Sequence, residues 1–332
     1  MYFLLGACLT LAFLLIVNFV VAVCASALWK AVAPAARHLS VKARGHMILC
    51  LRIVPVAAAL VFVAAFLIPS YLLNEPESSG ESISTKLGFI ALISSLGVSV
   101  AIFRVVNTWL ATRRLAADWM SGAKRFRIAD IKVPVYRIEH QFPVIAVIGI
   151  FRPRMFIAEQ VIASLNHKEF RAAIAHEYGH LRAGDNLKRT LMRICRDLLI
   201  MPLGRGLDRA WAENAESAAD EYAARTGPST ALDLASALVK IARIVPDNCG
   251  PAMPAGAYLI EELNGDIASR VSRLLRISED PSIGTDQNIF GISPSFWLWS
   301  AVLLLLLLLP LVDQRPLLGT HEVVEEFVTL LR

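Results

Sequence analysis

His176-Glu177-Tyr178-Gly179-His180 sets two imidazoles and a carboxylate at a spacing suited to metal chemistry. The motif lies in a run that reads as helix from Lys168 to Ala183. On a helix, residues i and i+4 share one face, so His176 and His180 can direct two ring nitrogens at one ion. Glu177 then falls beside the ion, where a general base can act on water. Phe170, Ala173, Ile174 and Leu181 give the helix an apolar face. A catalytic zinc takes three protein ligands and keeps one position open, so a third ligand is required. Glu216 and Asp220 repeat the i, i+4 spacing downstream. The glutamate can ligate, and the aspartate can accept a hydrogen bond from the outer nitrogen of a ligating histidine. Glu213 and Glu221 compete with Glu216 for the ligand position, while Ala215, Ser217, Ala218 and Ala219 leave room for close helix approach.

The elements that must position these groups begin in the membrane. Of 332 residues, 56% are hydrophobic and 18% charged, which is too apolar for an ordinary soluble domain. The apolar residues collect in four runs long enough to cross a bilayer core, at about 2–28, 53–73, 87–110 and 294–312. The first has no basic residues before it and is long for a signal peptide, so it reads as a retained membrane helix. Trp297 and Trp299 open the fourth as interfacial anchors.

Loop charges orient the runs. Lys30, Arg37, Lys42, Arg44 and Arg52 lie between the first two, and Glu75, Glu77 and Glu81 between the second and third. Arg113, Arg114, Lys124, Arg125 and Arg127 follow the third. Basic loops stay in the cytoplasm. The expected topology is multi-pass in the cell membrane, with the N-terminus outside, segment 111–293 in the cytoplasm and a short tail, 313–332, outside. The net charge of +5 is then spent on lipid headgroups and requires no nucleic-acid partner.

Segment 111–293 is large enough for its own core. It opens with a basic stretch expected to be helical to about Arg127. Val133–Ile138, Val144–Ile150 and Met155–Ile157 read as strands, with a turn at Phe151–Arg154. An extended substrate can add itself to such a sheet's edge and lie across the metal; a closed structural hairpin is the other reading. From Glu159 the segment reads as helical, with helices at about 186–201, 207–225, 229–245 and 259–277. No Cys-x-x-Cys pair occurs among the five cysteines, which argues against a disulfide framework or a cysteine zinc site.

Pro143, Gly149, Pro153, the run His176-Glu-Tyr-Gly-His180-Leu-Arg-Ala-Gly-Asp185, Pro202 and Glu216-Ser-Ala-Ala-Asp220, framed by three membrane helices before and one after, resemble the BlaR/MecR-type membrane zinc metallopeptidases. The resemblance implies a multi-pass α-helical membrane protein with an inserted, mainly α (α+β) gluzincin-type peptidase domain. It further implies one Zn2+ per chain held by His176, His180 and Glu216, Glu177 as catalytic base, and Asp220 behind the ligands. Its implied activity is endoproteolysis of a cytoplasmic or membrane-associated protein in response to a signal. Arg270 is similar to an arginine that recurs late in these domains. The expected departure is the missing C-terminal penicillin-binding sensor. Gly179 and the Glu-x-x-Ala-Asp pattern also resemble the HtpX and CAAX-protease branch, which implies quality control or processing instead. A non-catalytic, zinc-stabilised membrane adaptor is the alternative of another class.

A hydrolytic mechanism also needs a donor for the oxyanion. Tyr178, Tyr222 and Arg270 are the candidates for that role or for substrate contact. In the tail, residues 321–331 carry apolar groups at helical spacing. The plain expectation is a frayed end on the outer surface; the sharper one is a small amphipathic helix that docks a separate sensor protein.

Overall fold

The computed structural model describes residues 2–75, 83–128, 131–198, 204–245, 263–280 and 315–331. Expectations for the fourth membrane run and for the start of the helix at 259–277 fall outside the described residues.

Among the described residues, three helices are long and apolar enough to cross a membrane: α1 (Tyr2–Ala36), the composite Val41–Asn74, and α4 (Thr85–Ser121). The composite consists of α2 (Val41–Val61), a π-helical turn (Phe62–Leu67) and α3 (Ile68–Asn74). All three run beyond the apolar stretches. Ser40 caps the start of α2, its hydroxyl accepting from the Ala43 amide, so the basic stretch Val41–Arg52 is helix and not loop. Leu5, Leu9, Phe13, Val63, Leu67 and Leu87 form an apolar cluster among these helices. The tail joins it. α11 (Arg315–Leu331) places Val324, Val328 and Leu331 in the same cluster, and Ser70 Oγ donates to Leu317 O at 2.8 Å. The frayed-end expectation is thus corrected: burying a helical stripe against its own bundle stabilises the tail more than leaving it in solvent.

The segment after α4 is a four-stranded sheet followed by helices. β1 (Lys124–Phe126), β2 (Val135–Ile138), β3 (Ile145–Ile148) and β4 (Arg154–Ala158) take the order β1-β2-β4-β3. β2 and β4 are parallel, and the outer pairs are antiparallel. β1 replaces the end of the helix expected up to Arg127. α4 stops at Ser121, and pairing with β2 makes a strand of Lys124-Arg-Phe126, which shows no alternation of its own.

Met155, Phe156, Ile157 and Ala158 are fully buried between sheet and helices. Behind the sheet stand α5 (Glu159–Ser164), α6 (His167–Ala183), α7 (Asp185–Asp197), α8 (Arg205–Ala224), α9 (Thr230–Ile244) and α10 (Leu263–Glu279). Ala172, Ala223, Leu234, Leu238 and Leu274 knit α6, α8, α9 and α10 together.

The long apolar helices and the sheet-and-helix segment share a joint. Ile48 of α2 packs with Met192, Leu207 and Trp211. Arg44 Nε donates to Asn214 Oδ1 at 2.7 Å, Asn214 Nδ2 donates to Val41 O at 2.8 Å, and Arg52 pairs with Asp208 at 3.2 Å. On the other flank Arg104 of α4 pairs with Asp197 of α7 at 2.9 Å.

Candidate metal centre

α6 carries the two histidines, and both its ends are fixed by local chemistry. At the start, Asn166 Oδ1 accepts from the amides of Lys168 and Glu169, and Glu169 Oε2 accepts from the Asn166 amide. This reciprocal capping satisfies amides that the first turn leaves unpaired. Glu169 is itself buried and accepts from Ser236 and Lys240 of α9, both at 2.7 Å. Burial pushes its carboxyl up, but these bonds bring it below its ordinary value. At the far end Gly184 takes the left-handed conformation, φ +69°, stopping α6 and opening α7. That reversal turns Asp185 back onto α6.

α8 lies close across α6. A Cβ added at Gly179 would stand 3.2 Å from Tyr222 Cβ and 3.3 Å from Ala219 Cα, so a side chain at 179 would force the helices apart. At this separation Glu216 meets both histidines, with Oε2 3.4 Å from His176 Nε2 and Oε1 3.3 Å from His180 Nε2. The two Nε2 atoms are 3.2 Å apart. The ligand atoms of His176, His180 and Glu216 all lie within 4.8 Å of one another.

Behind them stand carboxylates. Asp220, fully buried, sets Oδ1 2.9 Å from His176 Nδ1. Asp185 accepts from His180 Nδ1 at 2.8 Å. With a carboxylate at each Nδ1, both Nε2 atoms are left to face the space beside Glu216. This donor set, two imidazole nitrogens and one carboxylate with outer nitrogens anchored, fits zinc.

Arg270, on α10, closes the arrangement. It grips Asp220 with Nη2 at 2.7 Å and Nε at 3.1 Å, and its Nη1 lies 3.0 Å from Glu216 Oε2. Arg189 Nη2 reaches Glu216 Oε1 at 3.5 Å. The charges follow from these contacts. Burial pushes Glu216 up, yet His180, His176 and Arg270 hold it well below the ordinary carboxylate range. Burial pulls His180 down, yet Glu216 and Asp185 carry the metal-free imidazole up to about 10. For Glu177 burial outweighs the lowering charges of His176 and His180 and raises it to about 7. Its Oε1 stands 4.0 Å from His176 Nε2.

The candidates taken from the sequence are thus divided by the fold. His176, Glu177, His180, Glu216, Asp220 and Arg270 come together. Glu213 is exposed and pairs with Arg209 at 2.9 Å, and Glu221 pairs with Arg273. Tyr178 and Tyr222 pack against each other with ring centroids 6.3 Å apart, and Tyr222 lines a separate cavity between α2, α6 and α8. Asp185 and Arg189 were not singled out in the sequence. For Asp185 the signal was present: an acid directly after a helix-ending glycine, five residues beyond His180. Arg189 gave none, because its contact with Glu216 exists only once α7 and α8 are packed.

A small cavity of ≈ 30 Å³ adjoins the cluster, lined by His176, Glu177, Pro143, Ile145, Leu238 and Ile241 among others. Ile145 belongs to β3, an edge strand of the sheet. The Ala158 amide donates to Val144 O, so by the two-residue period of an antiparallel ladder the backbone groups of Ile145 and Val147 face the open edge. Asn186 Nδ2 already occupies Val147 O at 3.0 Å.

Among known proteins, no curated sequence matches this chain. Residues 146–211, from β3 through α6 into α8, match the profile of Peptidase family M48. The matched stretch holds the two histidines, Glu177 and Asp185. Taken with three helices fit to cross a bilayer, the match supports a membrane metallopeptidase related broadly to family M48.

Proposed function

We propose that the protein is an integral-membrane zinc endopeptidase that cleaves a cytoplasmic or membrane-associated protein, presented as an extended strand along β3. The observation that carries this reading is the convergence of His176, His180 and Glu216 within 4.8 Å, with Glu177 buried beside them. His176, His180 and Glu216 would hold the ion. When bound, zinc supplies Lewis acidity to the scissile carbonyl and to a water molecule. Glu177 takes the proton from the attacking water and delivers it to the leaving amine. A carboxyl raised to about 7 by burial is suited to both halves of that transfer near neutral pH. Ile145 N–H and C=O and the Val147 N–H offer the substrate backbone a ladder, and the adjoining apolar cavity receives a side chain. Asp220 and Asp185 orient the histidines, and Arg270 holds Asp220 and Glu216 in place.

Loop charge supports a cytoplasmic peptidase segment with both termini outside. A role in regulated signalling, with the sensor as a separate protein, rests on the BlaR/MecR-type resemblance. The HtpX/CAAX-like reading rests on Gly179 and the Glu-x-x-Ala-Asp pattern, and the two part on substrate: one defined regulator, or many misfolded and precursor membrane proteins. Comparing new protein termini in cells with wild type and Glu177→Gln separates them. Purified Glu177→Gln should retain zinc and lose about 10²–10⁴-fold in kcat. If hydrolysis persists at the wild-type rate, Glu177 is not the catalytic base; if the wild type itself hydrolyses no peptide bond while holding zinc, the zinc-stabilised adaptor stands.

A further inference from the structure

A cavity of ≈ 290 Å³ lies between α2, α6 and α8, on the side of α6 away from the cavity beside Glu177. Its volume is at the small end of ordinary ligand sites. Val41, Lys42, Gly45, His46 and Leu49 form its α2 wall, at positions that repeat along one helical face. Arg182, Lys188 and Arg225 enter from α6, α7 and the end of α8. Two acids, Asp185 and Glu221, also line it. Asp185 accepts from His180 Nδ1 and pairs with Lys188 at 3.6 Å, and Glu221 pairs with Arg273 and with Arg225 at 3.9 Å. Against these two carboxylates stand Lys42, Arg182, Lys188 and Arg225, so the cavity carries an excess of positive charge.

Its depth identifies what would balance that charge. Leu49, His46 and Lys42 precede Ile53, where the apolar run begins, by about 6, about 10 and about 16 Å at 1.5 Å per residue. The headgroup layer adds roughly 5–8 Å to each side of the hydrocarbon core, so the cavity starts within that layer at Leu49 and extends past it toward water at Lys42. The abundant anions there are lipid phosphates, and basic pockets between membrane helices bind anionic headgroups. We propose that this cavity binds a phosphate group, carried by an anionic phospholipid or by a soluble phosphate compound, through Lys42, Lys188 and His46. Such a ligand would bridge α2 to the α6–α7 corner and so brace the membrane helix against the peptidase segment.

The test uses the full chain in nanodiscs. Nanodiscs of phosphatidylcholine alone are compared with ones containing phosphatidylglycerol, and lipid retained by the protein is read by native mass spectrometry. A parallel arm adds inorganic phosphate to phosphatidylcholine nanodiscs and reads the melting temperature. Wild type should retain phosphatidylglycerol, and Lys42→Gln/Lys188→Gln should weaken retention by about tenfold or more. Arg114→Gln/Arg125→Gln, basic residues away from the cavity, should retain it as wild type does. Retained phosphatidylglycerol assigns the ligand to lipid. A melting shift with inorganic phosphate, lost in Lys42→Gln/Lys188→Gln and without lipid retention, assigns it to a soluble phosphate. The proposal is overturned if neither binds, or if both double variants lose binding equally. Matching melting temperatures in phosphatidylcholine alone establish that the lysine variant is folded.

Discussion

Among the described residues, two groups of histidine and glutamate bring three ligand atoms equally close together. His176, His180 and Glu216 lie on α6 and α8; Glu75, His321 and Glu325 lie where α3 ends against α11. In each, the ligand atoms lie within 4.8 Å of one another, and each uses an i, i+4 pair on one helix. They differ in what stands behind the ligands. Each histidine of the first group has a carboxylate at its outer nitrogen, and Arg270 and Arg189 hold the glutamate. In the second, all three residues are half-buried, whereas His176 of the first is buried. Ligand spacing is cheap on a helix surface. A metal centre also needs its ligands held in one orientation and protonation state before the ion arrives.

The largest effect should come from the ligands themselves. His176→Ala, His180→Ala or Glu216→Ala should each take bound zinc well below one per chain and remove activity. His321→Ala should leave the tightly held zinc unchanged. Metal analysis after dialysis decides this, and equal losses from both groups would break the contrast between them.

Next come the groups behind the ligands. Arg270→Gln and Asp185→Asn should each weaken zinc binding by about 10–100-fold with the fold retained, measured by competition with a chromogenic chelator. If Arg270→Gln binds zinc like wild type, its grip on Asp220 and Glu216 is structural only.

Proton linkage sharpens the comparison further. The folded, metal-free site raises His180 from its ordinary 6.5 to about 10, so between those values its imidazole is charged. Zinc must displace a proton from it, and binding therefore strengthens as pH rises toward 10, by about tenfold per unit for one displaced proton. Competition titrations at pH 7 and pH 8 should show that slope; a flat profile would mean that no proton leaves.

The smallest effect lies away from the metal, in the cap of α6. The depressed carboxyl of Glu169 contributes stability that is present above its ordinary value of 4.5 and lost as pH falls through its folded value. Glu169→Gln should cost about 1–3 kcal/mol at neutral pH, since buried partners lose a charged acceptor. It should also flatten the acid limb of the unfolding curve, followed by circular dichroism.

How much could be read beforehand depended on how local each contact was. The histidine pair, Glu177 and the end of α6 at Gly184 are set by neighbours within one helix, and sequence spacing displays them. The choice among Glu213, Glu216 and Glu221 is not local. It is made by the face of α8 that meets α6, which sends Glu213 to solvent and Glu221 to Arg273. Arg270 is 50 positions from the aspartate it holds, on a different helix, so only packing reveals its partner. The basic start of α2 read as loop because charge was counted and helical docking onto α8 was not. In the tail, apolar spacing was visible, but the surface receiving it belongs to helices more than 240 residues earlier in the chain.

The joint between α2 and α8 also bears on how the chain assembles during synthesis. Arg44 and Asn214 are 170 positions apart, and Asn214 sits two residues before Glu216. The first helices leave the ribosome and enter the bilayer long before α8 exists. The helix bearing the third ligand is therefore completed against a partner already anchored in the membrane. A fragment beginning at residue 111 would lack that template. It would leave the surface around Met192, Leu207 and Trp211 open to other chains, so aggregation on expression would reflect a missing assembly step and not a fault in the peptidase core.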